Sequence, residues 1–270
     1  MRSLAFNLFF YGFTVAFALC LIPLTPIPGR RIMVWGLRSW GRTVVWAMGA
    51  IGGMRIEVRG RRHIPPKGPG LIASKHQSEA DGMVMAAEVP DIAFVAMREL
   101  WAYPIVGTIL RKLEMIRVDT CGGGRERENL STFARRARDA RRNIAIYPEG
   151  HLMPVGEKER YRTGIFYLYR DLDLPVVPVA HTLGLVWPER NWRKVPGRAV
   201  VEFLPPIATG LDRAAFMELL ETTIEDRTAM LVAEITGAPP RTATFRIKFP
   251  DRPPEDARPP TPATAPRAEP

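Results

Sequence analysis

The side chains with chemistry to offer sit in two short segments, Ser74-Lys75-His76-Gln77-Ser78-Glu79-Ala80-Asp81 and Tyr147-Pro148-Glu149-Gly150. A histidine oriented by a carboxylate keeps one ring nitrogen free to take a proton from a hydroxyl, which turns that hydroxyl into a nucleophile. His76 and Asp81 have the right types for this pair. On one helix, five steps of about 100° would leave their side chains roughly 140° apart. They meet only if His76 lies in a loop ahead of the helix and folds back onto its first turn. The flanking residues predict that arrangement: Gly70–Ser74 reads as a short buried strand, Ser78 as an N-cap, and Ala80 to Glu88 as a helix with Asp81 in its first turn. The same spacing also fits a plain capping box, in which Asp81 serves only backbone donors.

In the second segment, Asn143 to Tyr147 is an apolar run of strand type that Pro148-Glu149-Gly150 ends abruptly, at what should be a sheet edge facing a cleft. A carboxylate placed there can accept a hydrogen bond from a substrate hydroxyl. An ordinary solvated turn is the other reading of the same three residues.

The elements that must position these groups alternate along the chain. Strand-like runs at Arg55–Val58, Leu71–Ser74, Ile92–Met97, Met115–Val118, Ile144–Tyr147, Val176–Ala180 and Val200–Phe203 are separated by helix-like segments at Ala80–Glu88, Glu99–Leu113, Arg125–Arg142 and Thr163–Asp171. That pattern predicts an α/β fold, a central mixed sheet covered by helices with active loops at strand ends. Leu211 to Ile235 reads as a long amphipathic C-terminal helix, and Pro250–Pro270, dense in proline and charge, as a disordered tail.

Together these residues resemble the glycerolipid acyltransferases of the 1-acylglycerol-3-phosphate acyltransferase type. His76 and Asp81 match the family's first motif, N-H-x-x-x-x-D, and Tyr147-Pro148-Glu149-Gly150 the start of its third, F-P-E-G-T-R. Met115-Ile116-Arg117-Val118-Asp119 falls where the second, G-x-I-F-I-D-R, is expected, and Val176–Ala180 looks like the fourth, a strand ending in V-P-V. Order and spacing agree over roughly residues 54 to 205, far more specific than any one motif.

The resemblance implies an enzyme that moves a fatty acyl group from acyl-carrier protein or acyl-coenzyme A to the free hydroxyl of a lysolipid, without cofactor or metal. His76 would take the hydroxyl's proton as the oxygen attacks the thioester, and Asp81 would stabilise the imidazolium. Glu149 and Gly150 would belong to the substrate site, with backbone donors after Gly150 or at a helix start holding the oxyanion.

The chain also departs from the family pattern. Arginines thought to hold the acceptor's phosphate are replaced by Thr120 after the second motif and by His151-Leu152 after the third. Arg117, Arg125, Lys158, Arg160 and Arg162 are close enough in sequence to substitute, or are simply surface charges. Two acceptors therefore stand open, 1-acyl-sn-glycerol-3-phosphate and a lyso-ornithine lipid without phosphate, beside a non-catalytic lipid-binding protein of the same fold. A serine hydrolase built on Ser78 is disfavoured, because no G-x-S-x-G elbow occurs.

The composition agrees with lipid partners. The 270 residues are 46% hydrophobic and carry a net charge of +10. Zinc-finger spacing and RNP-like aromatic motifs are missing, so a membrane surface and an acidic carrier explain the charge better than nucleic acid. Leu4 to Leu24 is nearly continuously apolar, and Ile32 to Met48 holds Trp35, Trp40 and Trp46 among arginines. Residues 1–52 are thus expected to be a two-helix membrane anchor, spanning or half-embedded, before a catalytic domain over 53–237 and an extension over 238–270. Arg30, Arg31, Arg38 and Arg42 place that domain on the cytoplasmic face of the cytoplasmic membrane. A cleaved signal peptide ending at Ala18 is a weaker reading, since the apolar run continues past it. Cys20 and Cys121 form neither a disulfide framework nor a metal site, and Gly122-Gly123-Gly124 lacks the end of a phosphate loop.

Overall fold

The computed structural model describes residues 1–118 and 123–246, with side chains from residue 128 onward in the helix that starts at Gly123. The expectations placed on Asp119, Thr120, Cys121, Gly122, the side chains of Arg125 and Arg127, and the Pro250–Pro270 tail lie outside the described residues.

In chain order the helices are α1 (Arg2–Leu21), α2 (Arg31–Ala50), α3 (Ala80–Glu88), α4 (Pro104–Lys112), α5 (Gly123–Asp139), α6 (Gly164–Leu172), α7 (Leu183–Val186) and α8 (Arg213–Thr236). The strands are β1 (Met54–Arg59), β2 (Gly70–Ser74), β3 (Ile92–Met97), β4 (Ile116–Val118), β5 (Asn143–Ile146), β6 (Glu157–Lys158), β7 (Val176–His181), β8 (Gly197–Phe203) and β9 (Thr244–Phe245). Seven of them form one sheet in the order β1-β8-β7-β2-β5-β3-β4, and β6 pairs with β9 apart from it. Pairing is parallel throughout the large sheet except where β8 runs against β7, so the sheet is mixed as expected.

The central strands are apolar at consecutive positions because helices cover both faces. Ile72, Val177 and Val179 point into a core shared with Phe6, Val44, Met48, Met83 and Trp187. Leu71, Ala73, Ile144 and Ile146 point the other way, against Leu130, Ile165, Leu168, Phe216 and Leu220. The alternation of strand side chains thus sends α1, α2 and α3 to one face and α5, α6 and α8 to the other.

Phe6, Phe10, Val44 and Met48 from the two N-terminal helices belong to the same core as Ile72 and Val177. The structure corrects three expectations. Of the two N-terminal helices only the first, with its short extension (Arg2–Leu24), is long and apolar enough to cross a membrane. The second carries Arg31, Arg38 and Arg42 and packs one face on α3 so closely that a Cβ on Gly41 would come within 2.8 Å of Met83 O and 2.9 Å of Ala87 N. The helix expected over Glu99–Leu113 is broken, because Pro104 disfavours helical backbone at Tyr103; a 3-10 turn (Arg98–Ala102) precedes α4 instead. Finally, α5 stops before Arg142, whose buried guanidinium binds Asp91 Oδ1 (3.0 Å), Glu114 O (2.9 Å) and Ile92 O (2.9 Å).

Candidate active site

The carboxyl ends of the adjacent strands β7, β2 and β5 bring the site together, as the parallel topology requires. His76 follows β2, Tyr147 follows β5, and His181 closes β7. The backbone continues the ladder past β2, with Lys75 N donating to Val179 O at 3.0 Å. The chain then leaves the sheet, and α3 begins with Glu79 at its N-cap rather than Ser78, whose hydroxyl instead accepts from Ala80 N at 3.1 Å.

His76 does fold back onto α3. Its Nδ1 lies 3.0 Å from Asp81 Oδ2, the same oxygen that accepts Gln77 N (2.8 Å) and Ser78 N (3.1 Å). Both readings of the spacing therefore hold at once, since Asp81 caps the turn and orients the ring. Burial pushes the Asp81 carboxyl up, but the His181 charge and hydrogen bonds from His181 and His76 outweigh it and bring it to about 2. A carboxylate ionised at neutral pH can only accept, so Nδ1 of His76 carries a proton, and in the neutral imidazole the lone pair is on Nε2. Among the described residues nothing hydrogen-bonds that nitrogen, and the side chain is 23% exposed. The Tyr147 ring stacks on the imidazole with centroids 4.1 Å apart, which limits its rotation. This is the geometry of a general base toward a hydroxyl.

Sequence reading missed three residues beneath this pair. His181 is buried, with Nε2 2.7 Å from Lys75 O and 3.5 Å from Asp81 Oδ2. Burial lowers its pKa, but the Asp81 charge and hydrogen bond more than restore it. The available signal was its position, one residue beyond the Val-Pro-Val-Ala run. Lys75 and Glu225 are also buried, and the Lys75 ammonium donates to Glu149 Oε1 (2.6 Å), Glu225 Oε1 (2.8 Å) and Glu157 O (3.2 Å). Tyr161 OH donates to Glu225 Oε1 at 2.8 Å.

Glu149 is consequently turned inward, away from the role expected of it. Its side chain is 0% exposed, and its second oxygen accepts the backbone N–H of His76 at 2.9 Å. Both oxygens are turned to the loop that carries His76, and full burial keeps them from a substrate hydroxyl. Burial pushes its carboxyl up against the pull of Lys75, to about 7.

Gly150 stands at φ +78°, and a Cβ there would come within 2.5 Å of Arg162 Nε, so the Arg162 guanidinium lies against its backbone. Arg162 N also donates to Pro148 O at 2.8 Å, and Met153 N to His76 O at 2.7 Å, which ties Arg162, Gly150 and His76 into one loop cluster. Lys158 is committed elsewhere, to Glu221 (2.8 Å) and the face of Phe245 (4.6 Å). Arg160 is exposed. Arg117 lies on the edge strand β4, in the wall of a separate cavity that contains none of His76, Asp81 or Tyr147. His151, where the family's threonine is expected, pairs with Glu159 at 3.2 Å. Among the described residues no cluster of His, Cys, Asp and Glu is arranged to hold a metal.

A family model described as Acyltransferase matches residues 55–182, a span that contains His76, Asp81, Glu149 and His181. The chain is 32% identical over 203 residues to a 1-acyl-sn-glycerol-3-phosphate acyltransferase of Pseudomonas aeruginosa, covering 74% of this chain and 77% of that one. It is 27% identical over 204 residues to the mouse 1-acyl-sn-glycerol-3-phosphate acyltransferase alpha, covering 74% and 70%. The fold is shared with the crystal structure of the 1-acyl-sn-glycerophosphate acyltransferase from Thermotoga maritima, at TM-score 0.70 and 19% identity over 86% of this chain and 98% of that one. The chain is an enzyme of the acyltransferase family.

Proposed function

We propose that the protein transfers a fatty acyl group from acyl-carrier protein or acyl-coenzyme A to the free hydroxyl of 1-acyl-sn-glycerol-3-phosphate, giving phosphatidic acid. The observation that carries this reading is the oriented His76–Asp81 pair, with Nε2 unengaged and the ring open to solvent. Nε2 takes the hydroxyl proton as that oxygen attacks the thioester carbonyl. The tetrahedral intermediate collapses by breaking the carbon–sulfur bond, and the imidazolium returns the proton to the leaving thiolate. Asp81 stabilises the imidazolium, and a positioned base of this kind contributes about 10²–10⁴-fold. No cofactor or metal enters the balance. Lys75, Glu149 and Glu225 fix the loop under His76 without touching substrate.

In the acceptor the phosphate is four bonds from the attacking oxygen, so its ligand must belong to the His76 loop cluster. Arg162, against Gly150, meets that condition and takes the place of the arginine missing from the third motif. A lyso-ornithine acceptor would not need it.

The protein works at a membrane surface. Leu4, Leu8, Tyr11, Val15 and Leu19 are exposed along one side of α1, while Phe6 and Phe10 on the other side are in the core. Ser3 Oγ donates to Lys194 O (2.8 Å) and Asn7 Nδ2 to Trp192 O (2.7 Å). A helix clamped in this way lies on one leaflet with its outer stripe in lipid, joined by exposed Trp35 and Trp46. We place it on the cytoplasmic face of the cytoplasmic membrane, where thioester donors are found.

The test is acyl transfer by the purified protein to lysophosphatidate and, in parallel, to lyso-ornithine lipid, with His76→Ala as control. Transfer to lysophosphatidate that the control abolishes is expected. Transfer to the ornithine acceptor alone would reassign the head group, and no transfer to either would leave a lipid-binding protein.

A further inference from the structure

His181 ends β7, buried after the apolar run Val176 to Ala180. An imidazole in a place where the strand otherwise takes apolar side chains costs free energy unless its N–H meets an acceptor. It meets two. Nε2 lies 2.7 Å from Lys75 O and 3.5 Å from Asp81 Oδ2, and since neither oxygen can donate, Nε2 carries a proton. Leu183 N donates to the other ring nitrogen, Nδ1, at a long 3.4 Å.

The two acceptors lie on either side of the base in sequence. Lys75 immediately precedes His76, and β7 holds both of its main-chain groups: the N–H donates to Val179 O at 3.0 Å, and the carbonyl accepts from His181 as well as from the Ser74 hydroxyl (3.0 Å). Asp81 Oδ2 is the oxygen that orients the His76 ring, at 3.0 Å. One N–H thus joins the backbone that carries the base to the carboxylate that aims it. The Asp81 charge also raises the His181 pKa, against burial and against Lys75. A proton held on His181 puts positive charge beside Asp81, where it competes with an imidazolium at His76 for the same carboxylate.

We infer that His181 is a positioning residue for the acyl transfer, which locks the Lys75 carbonyl to Asp81 and, by sharing the Asp81 charge, disfavours protonation of His76 before the substrate hydroxyl arrives. The inference rests on His76 being the base of the proposed function.

The neighbouring charges leave this effect readable. Lys75 is bound to Glu149 and Glu225. On β8 the residue opposite His181 is Val201, and the next, Glu202, is held by Arg227 of α8. α7 (Leu183–Val186) carries no charge. Burial and the Asp81 charge push the Tyr147 hydroxyl well above its ordinary range. Glu149, at about 7, titrates in the working window, but its partners are Lys75 and the His76 backbone, which substitution of His181 leaves in place.

The experiment is steady-state kinetics across pH for the full-length wild type, His181→Gln and His181→Leu, with thermal unfolding of each. Glutamine keeps an N–H donor without the charge, and leucine keeps neither. His181→Leu should lose about tenfold or more in kcat, the weight of one buried hydrogen bond, with both KM values within about twofold of wild type. His181→Gln should recover most of that kcat. In both variants the acid limb of the kcat/KM profile should move up by roughly half a pH unit, because Asp81 is no longer shared. Equal losses in the two variants with the acid limb at its wild-type pH would reduce His181 to core packing and overturn the inference. Wild-type kinetics in His181→Leu would do the same, and should that variant not fold, the acid limb of His181→Gln decides. Transfer to lyso-ornithine lipid alone would overturn the proposed acceptor and leave this inference standing, since one base serves either hydroxyl. Full activity in His76→Ala would sink both.

Discussion

Glu149 accepts the backbone N–H of His76 at 2.9 Å, so the third motif holds the first in place through the main chain rather than through the imidazole. Lys75 completes the connection by binding Glu149 and Glu225 together.

Removing the ammonium should be the more damaging change. Lys75→Met would leave two buried carboxylates without their cation, a loss of about 3–5 kcal/mol for a broken buried pair. Glu149→Gln keeps the shape and should cost much less, because burial already raises this carboxyl to about 7. The folded protein thus holds a proton that the unfolded chain releases near 4.5, and this contribution is present below that pH and lost as pH rises through about 7. Urea unfolding followed from pH 4.5 to 7 should show the decline in wild type and a flatter profile in Glu149→Gln.

Asp81 has the opposite sign. Held at about 2 against an ordinary 3.8, it stabilises the fold by about 2 kcal/mol above that ordinary value, and the contribution disappears as pH falls through about 2. Asp81→Asn should therefore lose stability at pH 6 yet approach wild type near pH 2. Parallel curves for the two proteins in acid would refute the assignment.

Kinetically, His76→Ala should lower kcat by about 10²–10⁴-fold with little change in KM for either substrate. Asp81→Asn should fall in the same range, since the asparagine no longer selects the Nδ1–H tautomer. Equal activity of His76→Ala and wild type would remove His76 from the chemistry.

The His76–Asp81 pair was legible because it is local: a strand end, a loop and a helix start are written in consecutive residues. Lys75, Glu225 and His181 were not, since their contacts join segments that only the sheet order brings together. Glu149 was found for the wrong reason. Its motif marks the turn, but nothing in Pro-Glu-Gly says whether the carboxylate faces a cleft or a buried lysine. Helix boundaries followed local chemistry, as at Pro104, whereas the joint core of α1 with the sheet needed the phenylalanines to be placed in space.

At the crossing of α2 and α3, Gly41→Ala would press a methyl group into Met83 O and Ala87 N, backbone atoms that cannot rotate away. A loss of about 1–3 kcal/mol is expected, read as a lower denaturation midpoint. An unchanged midpoint would mean that the two helices separate at little cost.

On the outer side of α1, Leu8→Glu with Val15→Glu places charge on the exposed stripe without touching Phe6 or Phe10. Flotation with vesicles should drop sharply, while activity on detergent-dispersed substrate remains. Undiminished flotation would move the lipid contact elsewhere.

Phe6 packs edge-on to Trp187 at 5.4 Å, deep within the catalytic core. A helix so joined is no leash from which the enzyme could swing. With α1 lying in one leaflet as proposed, its depth would fix the height of His76 above the acyl chains, so bilayer thickness and curvature would set how readily a lysolipid reaches the base, as a ruler whose zero mark is the membrane itself.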